Sequence, residues 1–454
     1  MTGARPARGA GTAPRVPRVA LVSRIFAPEP AAASFRLESL ARALGRGGAR
    51  VRVLTTTARR DLRAAARACD EDLREARVVV DRAPVLRDRT GYVRGYLQYL
   101  SFDVPAFVRL LAEPRPDVVV CEPPPTTGAV VRAVCALRRV PYVYYAADVW
   151  SDATAGDGST PGVVSRVLAA VEGWAMRGAA GVVAVSPDVA ARVHALVGAP
   201  GAEPGAAAAA PRAAGVSTAA VRRGRRPDVV VVRNGIDTDV FRPGLPRPEQ
   251  APARYVVYAG TTSAWQGADV FVRAMPVVRA AVPDAELVIL GQGSDWDELG
   301  RLAAQHAPGA VHLRPLVPAA EAAAWLGAAS GALVSVRPGA GYDMALPTKT
   351  FAAAACGTPV VFAGPGPAGP IVRDGGLGHA VAYDVDEVAA AMIAVLRADD
   401  DAAARVERSA RLAAWARDNA SIAQVGQAVA AHVRRWRERP APAGATTTDG
   451  DDAP

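Results

Sequence analysis

Of the 53 basic residues in this 454-residue chain, every one but Lys349 is arginine. So strong a bias would replace lysine wherever a generic positive charge suffices, which makes the survivor a candidate for work only a compact ammonium does. Such a cation meets phosphate oxygens as a point charge, whereas a planar guanidinium needs more room. The alternative is chance placement at a helix start, where a cation is mildly unfavourable. Lys349 closes the run Pro347-Thr348-Lys349. Upstream stands Gly260-Thr261-Thr262-Ser263-Ala264-Trp265-Gln266-Gly267, in which glycine and hydroxyls precede a predicted helix and form a nest for an anion. Gly291-Gln292-Gly293 lacks the side chains that would keep a nucleotide base or ribose away from the backbone.

A second set of groups lies in the first half. Asp148 follows an apolar run and has Trp150 and Asp152 beside it. A carboxylate there orients or deprotonates an acceptor hydroxyl and the indole stacks on a sugar; equally, the acid caps a helix and the Trp is core. For Asp152 the capping reading is preferred. Phe26-Ala-Pro-Glu-Pro30, then Ala31 to Ser34, is a small-residue turn of the kind that brings helix N–H groups to a phosphate. Asp295-Trp296-Asp297 has the spacing of a D-x-D metal motif, but it opens a predicted helix, where acids offset the dipole. The helix reading is preferred and no metal is expected.

These groups need a scaffold that puts loops side by side. Short β-rich runs at Val19–Ser23, Val51–Thr55, Val78–Val80, Val118–Cys121, Tyr142–Tyr145, Val182–Val185 and Val229–Val232 alternate with helical stretches. Several are continuously apolar, as strands buried on both faces must be. Ser34–Leu44 has Leu37, Leu40, Ala41 and Leu44 at helical spacing behind a possible Ser34 cap, with Gly45, Gly47 and Gly48 to end it. After a Pro-rich joint at 242–248 the pattern restarts. It predicts strands Tyr255–Ala259, Leu287–Leu290, Val311–Leu313, Ala332–Val336 and Pro359–Phe362. Helices are expected from about Gly267 and Ser294, at Ala319–Ala329 and Thr348–Ala355, and beyond the second domain at Ala423–Arg439. The fold class is therefore α/β, with two Rossmann-like doubly wound domains whose ligands bind in the cleft at the carboxyl ends of the strands.

Four scattered cysteines and five histidines without ligand spacing argue against a disulfide framework or zinc site and suit a reducing, cytoplasmic compartment. No run approaches about 18 apolar residues, and Val19–Val22 is too short for a signal-peptide core. The net charge of +9 gathers in arginine clusters near both ends and at 222–226. With no nucleic-acid-binding signature beside them, solvated termini rank first, a membrane surface second and nucleic acid last. Tyr92, Tyr96, Tyr99, Phe102 and Phe107, flanked by Arg87, Arg89 and Arg94, suit either a membrane interface or packing against the sheet, and packing is preferred.

The ordered motifs resemble family 4 of the retaining GT-B glycosyltransferases, in the branch acting on bacterial surface polysaccharides. They are Phe26-Ala-Pro-Glu-Pro30 with Arg36, Pro116-Asp-Val-Val119, Asp148-Val-Trp150, Val183-Ala-Val-Ser186, Asn234-Gly-Ile-Asp237 with Phe241-Arg-Pro243, Gly260 to Gly267, Gly291-Gln-Gly293, Pro347-Thr-Lys349 and Ala355-Cys-Gly-Thr-Pro-Val360. The resemblance implies a nucleotide diphosphate sugar as donor and an acceptor that is a lipid-linked glycan. It also implies no cofactor or metal and a last helix crossing back to the first domain. Gly260, Thr261, Thr262, Ser263, Gln266, Gly267, Gly291, Gly293, Pro347 and Thr348 would bind donor, with Lys349 against its diphosphate. Trp150, Ser34 and Arg36 would bind acceptor, with Asp148 catalytic. The family's arginine and lysine in the donor loop are here Thr261 and Gln266, and its two glutamates fall on Met344 and Ala352.

The expected organisation is an arm at 1–16, an acceptor domain at 17–242 with a low-complexity insertion at 198–226, and a donor domain at 253–415. A returning helix at 416–439 and a tail at 440–454 complete it. A degenerate homologue that binds nucleotide sugar or a partner, and a sugar-nucleotide epimerase, are the rival functions.

Overall fold

The computed structural model of the protein describes residues 15–29, 31–88, 93, 95–151, 162–198 and 226–438. The expected arm (apart from its last two residues), nearly all of the low-complexity insertion, the tail, Pro30, Arg89, Tyr92, Arg94 and Asp152 lie outside them. The first half holds strands β1 (Arg18–Val22), β2 (Arg50–Thr56), β3 (Val78–Ala83), β4 (Val118–Cys121), β5 (Tyr142–Ala146), β6 (Gly181–Ala184) and β7 (Asp228–Val231). Its helices are α1 (Ala32–Arg46), α2 (Arg63–Glu75), α3 (Tyr96–Ala112), α4 (Pro125–Arg138), α5 (Gly162–Arg177) and α6 (Pro187–Leu196). The second half has β8 (Arg254–Thr261), β9 (Ala285–Gln292), β10 (Val311–Arg314), β11 (Gly331–Ser335), β12 (Val360–Ala363) and β13 (Gly378–Val381). With them come α7 (Asp269–Ala281), α8 (Trp296–His306), α9 (Ala319–Ala328), α10 (Lys349–Ala355), α11 (Ala368–Asp374), α12 (Val385–Arg397), α13 (Ala402–Ala420) and α14 (Ile422–Arg437).

Each half forms one wholly parallel sheet, in the orders β3-β2-β1-β4-β5-β6-β7 and β10-β9-β8-β11-β12-β13. Both orders reverse direction once, at β1/β4 and at β8/β11, and such switch points open a crevice at the strands' carboxyl ends. The continuously apolar runs β4, β5 and β6 are buried along their whole length, as both-face burial requires. Among the described residues no helix is long and apolar enough to cross a membrane.

Some expected boundaries shift. Helix α1 starts at Ala32 with Ala31 as N-cap and no side-chain cap, so Ser34 sits inside the first turn instead of capping it; the alanines ahead of it are strong helix formers. Gly45 does not end that helix but lies within it, and a Cβ there would stand 1.7 Å from the Ala76 carbonyl oxygen, so close packing is what requires glycine. The helix expected from Gly267 begins at Asp269, after a 3-10 turn at Ala264–Gln266. Strand β13 went unpredicted because its four partly exposed residues form an edge without an apolar run.

The last helix belongs to the first half. Chain pairing between Ile236 and Ser421 marks the return, and α14 then lies along α1, where Ser39 Oγ donates to the Ile422 carbonyl at 2.6 Å. Val429, Ala430, Val433 and Trp436 enter the first sheet's core. The Trp436 ring fills the space that a Cβ on Gly181 would take, and its Nε1 donates to Asp228 at 3.0 Å. A fully buried indole is one of the costliest side chains to truncate. Trp436→Ala is expected to lower stability by about 3–5 kcal/mol, checked by chemical denaturation with the first half's transition followed separately.

Candidate functional site

On the second sheet, β8 and β9 end in register, Gly260 opposite Gly291 and Thr261 opposite Gln292. A Cβ on Gly291 would lie 1.9 Å from the Gly260 carbonyl oxygen, and one on Gly293 would lie 2.5 Å from that of Thr262. These two glycines therefore let neighbouring main chains run flush. In the direction a side chain would take, neighbouring backbone occupies the space, so main-chain packing by itself requires glycine at both positions.

The loop after β8 is braced from within. Gln266 Oε1 accepts from Thr261 Oγ1 at 2.9 Å and from Ser263 N at 3.2 Å, and Ser263 completes a capping box. Gln266 is thus a structural strut, and the Thr261 hydroxyl is held by it. Thr262 N donates to Gln292 O at 3.0 Å, while its buried Oγ1 finds no partner. Gly267 turns with φ +62° against Tyr383, whose hydroxyl donates to the Gly267 carbonyl at 2.8 Å.

Lys349 is the first residue of α10, behind the half-buried Pro347 and Thr348, and its side chain lies over Gly260. Its Nζ donates to Thr261 O at 3.0 Å and to Tyr258 Oη at 2.5 Å, and stands 3.8 Å from the Tyr258 ring centroid. Among the described residues no carboxylate pairs with it. Half-buried and lacking a counter-charge, the amine is pushed well below the ordinary lysine range by desolvation. A diphosphate brought to this amine would supply the missing negative charge and restore the ammonium.

Proton uptake should therefore accompany binding of a nucleoside diphosphate. The sign follows from the lowered amine: above its free-protein pKa the site is neutral, the ligand favours the charged form, and affinity falls as pH rises. Calorimetry in buffers of different ionisation enthalpy should show uptake of up to about one proton, absent in Lys349→Met.

The first sheet carries a separate cluster. Arg36, on α1, is buried and ion-paired with Glu122, which follows β4 and also accepts from Ser23 Oγ at 3.2 Å. Burial works against the Arg36 charge, but Glu122, with Tyr145 and Asp148 behind it, holds the pKa above its ordinary value. Arg36 is thus engaged beneath the site, and Ser34, buried with its hydroxyl unpartnered, does not reach the surface. The structure thus places both of these expected acceptor residues in the interior. Asp148, after β5, is exposed, yet the protein mass around it raises its pKa, with Arg36 opposing. A raised carboxyl in reach of solvent is suited to taking a proton.

Trp150 is not a bare platform. It meets Tyr99 edge-on at 5.9 Å, and the Arg24 guanidinium lies 4.5 Å from the Tyr99 centroid and 5.0 Å from that of Trp150. Tyr99 and the buried Phe102 face inward, as the packing reading expects. Sequence reasoning missed Glu122, Arg24 and Tyr258; a carboxylate directly after an all-apolar strand was the available signal for the first. Asp295 is the N-cap residue of α8 and Asp297 lies in its first turn; no group of three metal-ligating side chains occurs among the described residues.

Residues 32–204 match a family model described as a glycosyl transferase 4-like domain, and residues 253–398 match one described as glycosyl transferases group 1. The chain belongs to the GT-B glycosyltransferases. This GT-B protein is 34% identical over 200 residues to a GDP-mannose-dependent alpha-(1-6)-phosphatidylinositol monomannoside mannosyltransferase of Mycolicibacterium smegmatis, over 41% of this chain and 50% of that one. The matches span half or less of the curated relatives' own lengths. Anabaena Alr3699/HepE in complex with UDP superposes with a TM-score of 0.62 at 15% identity, covering 92% of this chain and all of that one. WaaG, a glycosyltransferase involved in lipopolysaccharide biosynthesis, does so at 0.60 and 14%, covering 91% and 99%. At such identities the structures speak for the fold alone.

Proposed function

We propose that this GT-B protein moves a glycosyl group from a nucleotide diphosphate sugar to an acceptor hydroxyl, with retention. The acceptor is a lipid-linked glycan of surface-polysaccharide assembly, met on the cytoplasmic face of the membrane. The observation that carries the reading is the Lys349 amine, tied to the Thr261 carbonyl where β8 ends and without a carboxylate partner among the described residues, so that an arriving diphosphate would be what charges it. A cation so placed stabilises a departing diphosphate, and preorganised groups of this kind supply much of the rate in transfer reactions. The bond from the anomeric carbon to the diphosphate breaks, that carbon bonds the acceptor oxygen, and Asp148 takes or orients the hydroxyl proton. The low-complexity insertion and the two-domain division at the Pro-rich joint belong to the same reading.

A thermal-shift panel tests it. The mannosyltransferase relative is named for GDP-mannose and HepE was solved with UDP, so both bases belong in the panel with their sugars. A ligand at 100 times its Kd stabilises by about 2.7 kcal/mol, which should move the melting temperature by a few degrees for one base only. No shift at millimolar ligand defeats the reading. It would favour the second one, a degenerate homologue. That reading has its own support: at the family's glutamate positions Met344 is 47% exposed, and Ala352 is buried in an apolar cluster.

A further inference from the structure

Helix α3 turns an unusual face to solvent. Its exposed positions are Leu97, Leu100, Val104, Val108, Leu111 and Ala112, of which Leu97 is 70% and Val104 59% exposed. With Tyr96 set aside, no exposed position on this helix carries a polar group. The spacing of three and four residues makes one stripe, about 21 Å long at 1.5 Å per residue. A helix covering a sheet ordinarily presents polar residues outward. A contiguous exposed apolar patch marks a contact with something else.

Charge selects the occupant. Helix α4 lies against α3, and α5 against α4. The only acids on these three helices are Asp103 and Glu172, both buried. Arginines border the stripe instead: Arg138 donates to the Leu110 carbonyl at 2.5 Å, and Arg115 to the carbonyl of the exposed Arg139 at 2.7 Å. On α5 the 41%-exposed Trp174 lies under the Arg132 guanidinium, 4.2 Å from its ring. Aliphatic stripe, interfacial Trp and an arginine border are what a helix lying in a bilayer interface presents; the acid at the stripe's end, the C-cap Glu113, is ion-paired with Arg52. Two copies meeting through this face would instead press like charges together.

We propose that the outer face of α3, bordered by α4 and α5, docks on an anionic lipid surface. The inward side of the same helix carries Tyr99 against Trp150. Docking therefore brings the mouth of the first-sheet cluster close to lipid. The surface is read from the helix alone and stands whether or not the protein transfers sugar.

Flotation of the full chain with vesicles tests this without donor or acceptor. The protein should float with equal parts phosphatidylcholine and phosphatidylglycerol. It should float poorly with phosphatidylcholine alone, or at ~1 M salt, where the Debye length falls to about 3 Å. Leu100→Glu, Val104→Glu, Val108→Glu combined should lower the partition coefficient by about 10²-fold, each charge being repelled by the anionic surface. The melting temperature should hold, since these side chains already face water; if it falls, Val104→Glu alone serves. Wild-type protein that stays at the bottom overturns the proposal, as does a folded variant that floats like wild type. A dimer in solution that the same substitutions dissociate would mean that a second copy covers this face, and would overturn it too.

Discussion

Lys349→Arg is expected to lose most donor turnover even though it keeps the charge, and Lys349→Ala about 10²-fold or more. The reason is now geometric. The lysine stem runs over Gly260, so close that a single Cβ there would come within 2.6 Å of Cε. Its Nζ fits between Tyr258 Oη and the Thr261 carbonyl. A guanidinium is wider, is planar and resists losing its proton, so it cannot take that slot without moving the β8 loop. The losses should appear in kcat more than in KM if the cation acts on the departing diphosphate. Steady-state kinetics on both variants decide it. A Lys349→Arg enzyme with near wild-type turnover would sink the assignment of this residue.

Gly260→Ala should be nearly as damaging by a different route. The residue sits at φ +129°, a conformation that L side chains rarely adopt. The added methyl must also displace Lys349 Cε, and the Gly260 carbonyl is already in close contact with Gly291. Strain of this type costs on the order of 1–3 kcal/mol. A displaced catalytic group of about 1 Å costs on the order of 10²-fold. We expect folded protein with a modestly lower melting temperature, turnover down by about 10²-fold, and loss of the proton uptake linked to Lys349. Turnover within about threefold of wild type would show that the lysine tolerates being moved.

The scaffold was far more legible than the site. Runs such as Val118–Cys121 and Val182–Val185 are rich in β-branched valine, continuously apolar and short, which together point to strands buried on both faces. Gly45 misled: a glycine near a helix end reads as a stop, and only the Ala76 carbonyl packed against it shows that the residue is there for close approach. At Gly291 and Gly293 the structure adds a reason for glycine that sequence cannot show, the neighbouring main chain in the direction a Cβ would take. Gln266 and Arg36 were found by position, yet their partners Ser263 and Glu122 were not foreseen. Pairing between residues 36 and 122 is set by the sheet order, which the spacing of residues does not contain. Lys349 stood out by composition alone, and the structure places its amine between Tyr258 Oη and the Thr261 carbonyl.

The return of α14 also has a bearing on how the chain is made. Val429, Ala430, Val433 and Trp436 complete a core whose other members all come before residue 198. During synthesis the first half leaves the ribosome with that slot beside Gly181 open, and it stays open while the whole second sheet is translated. Between those moments its apolar wall faces water. Translation at about 5–20 residues per second makes that a delay of many seconds. Until α14 emerges and fills the slot, the first half carries exposed apolar surface of the kind that chaperones bind and that aggregation uses.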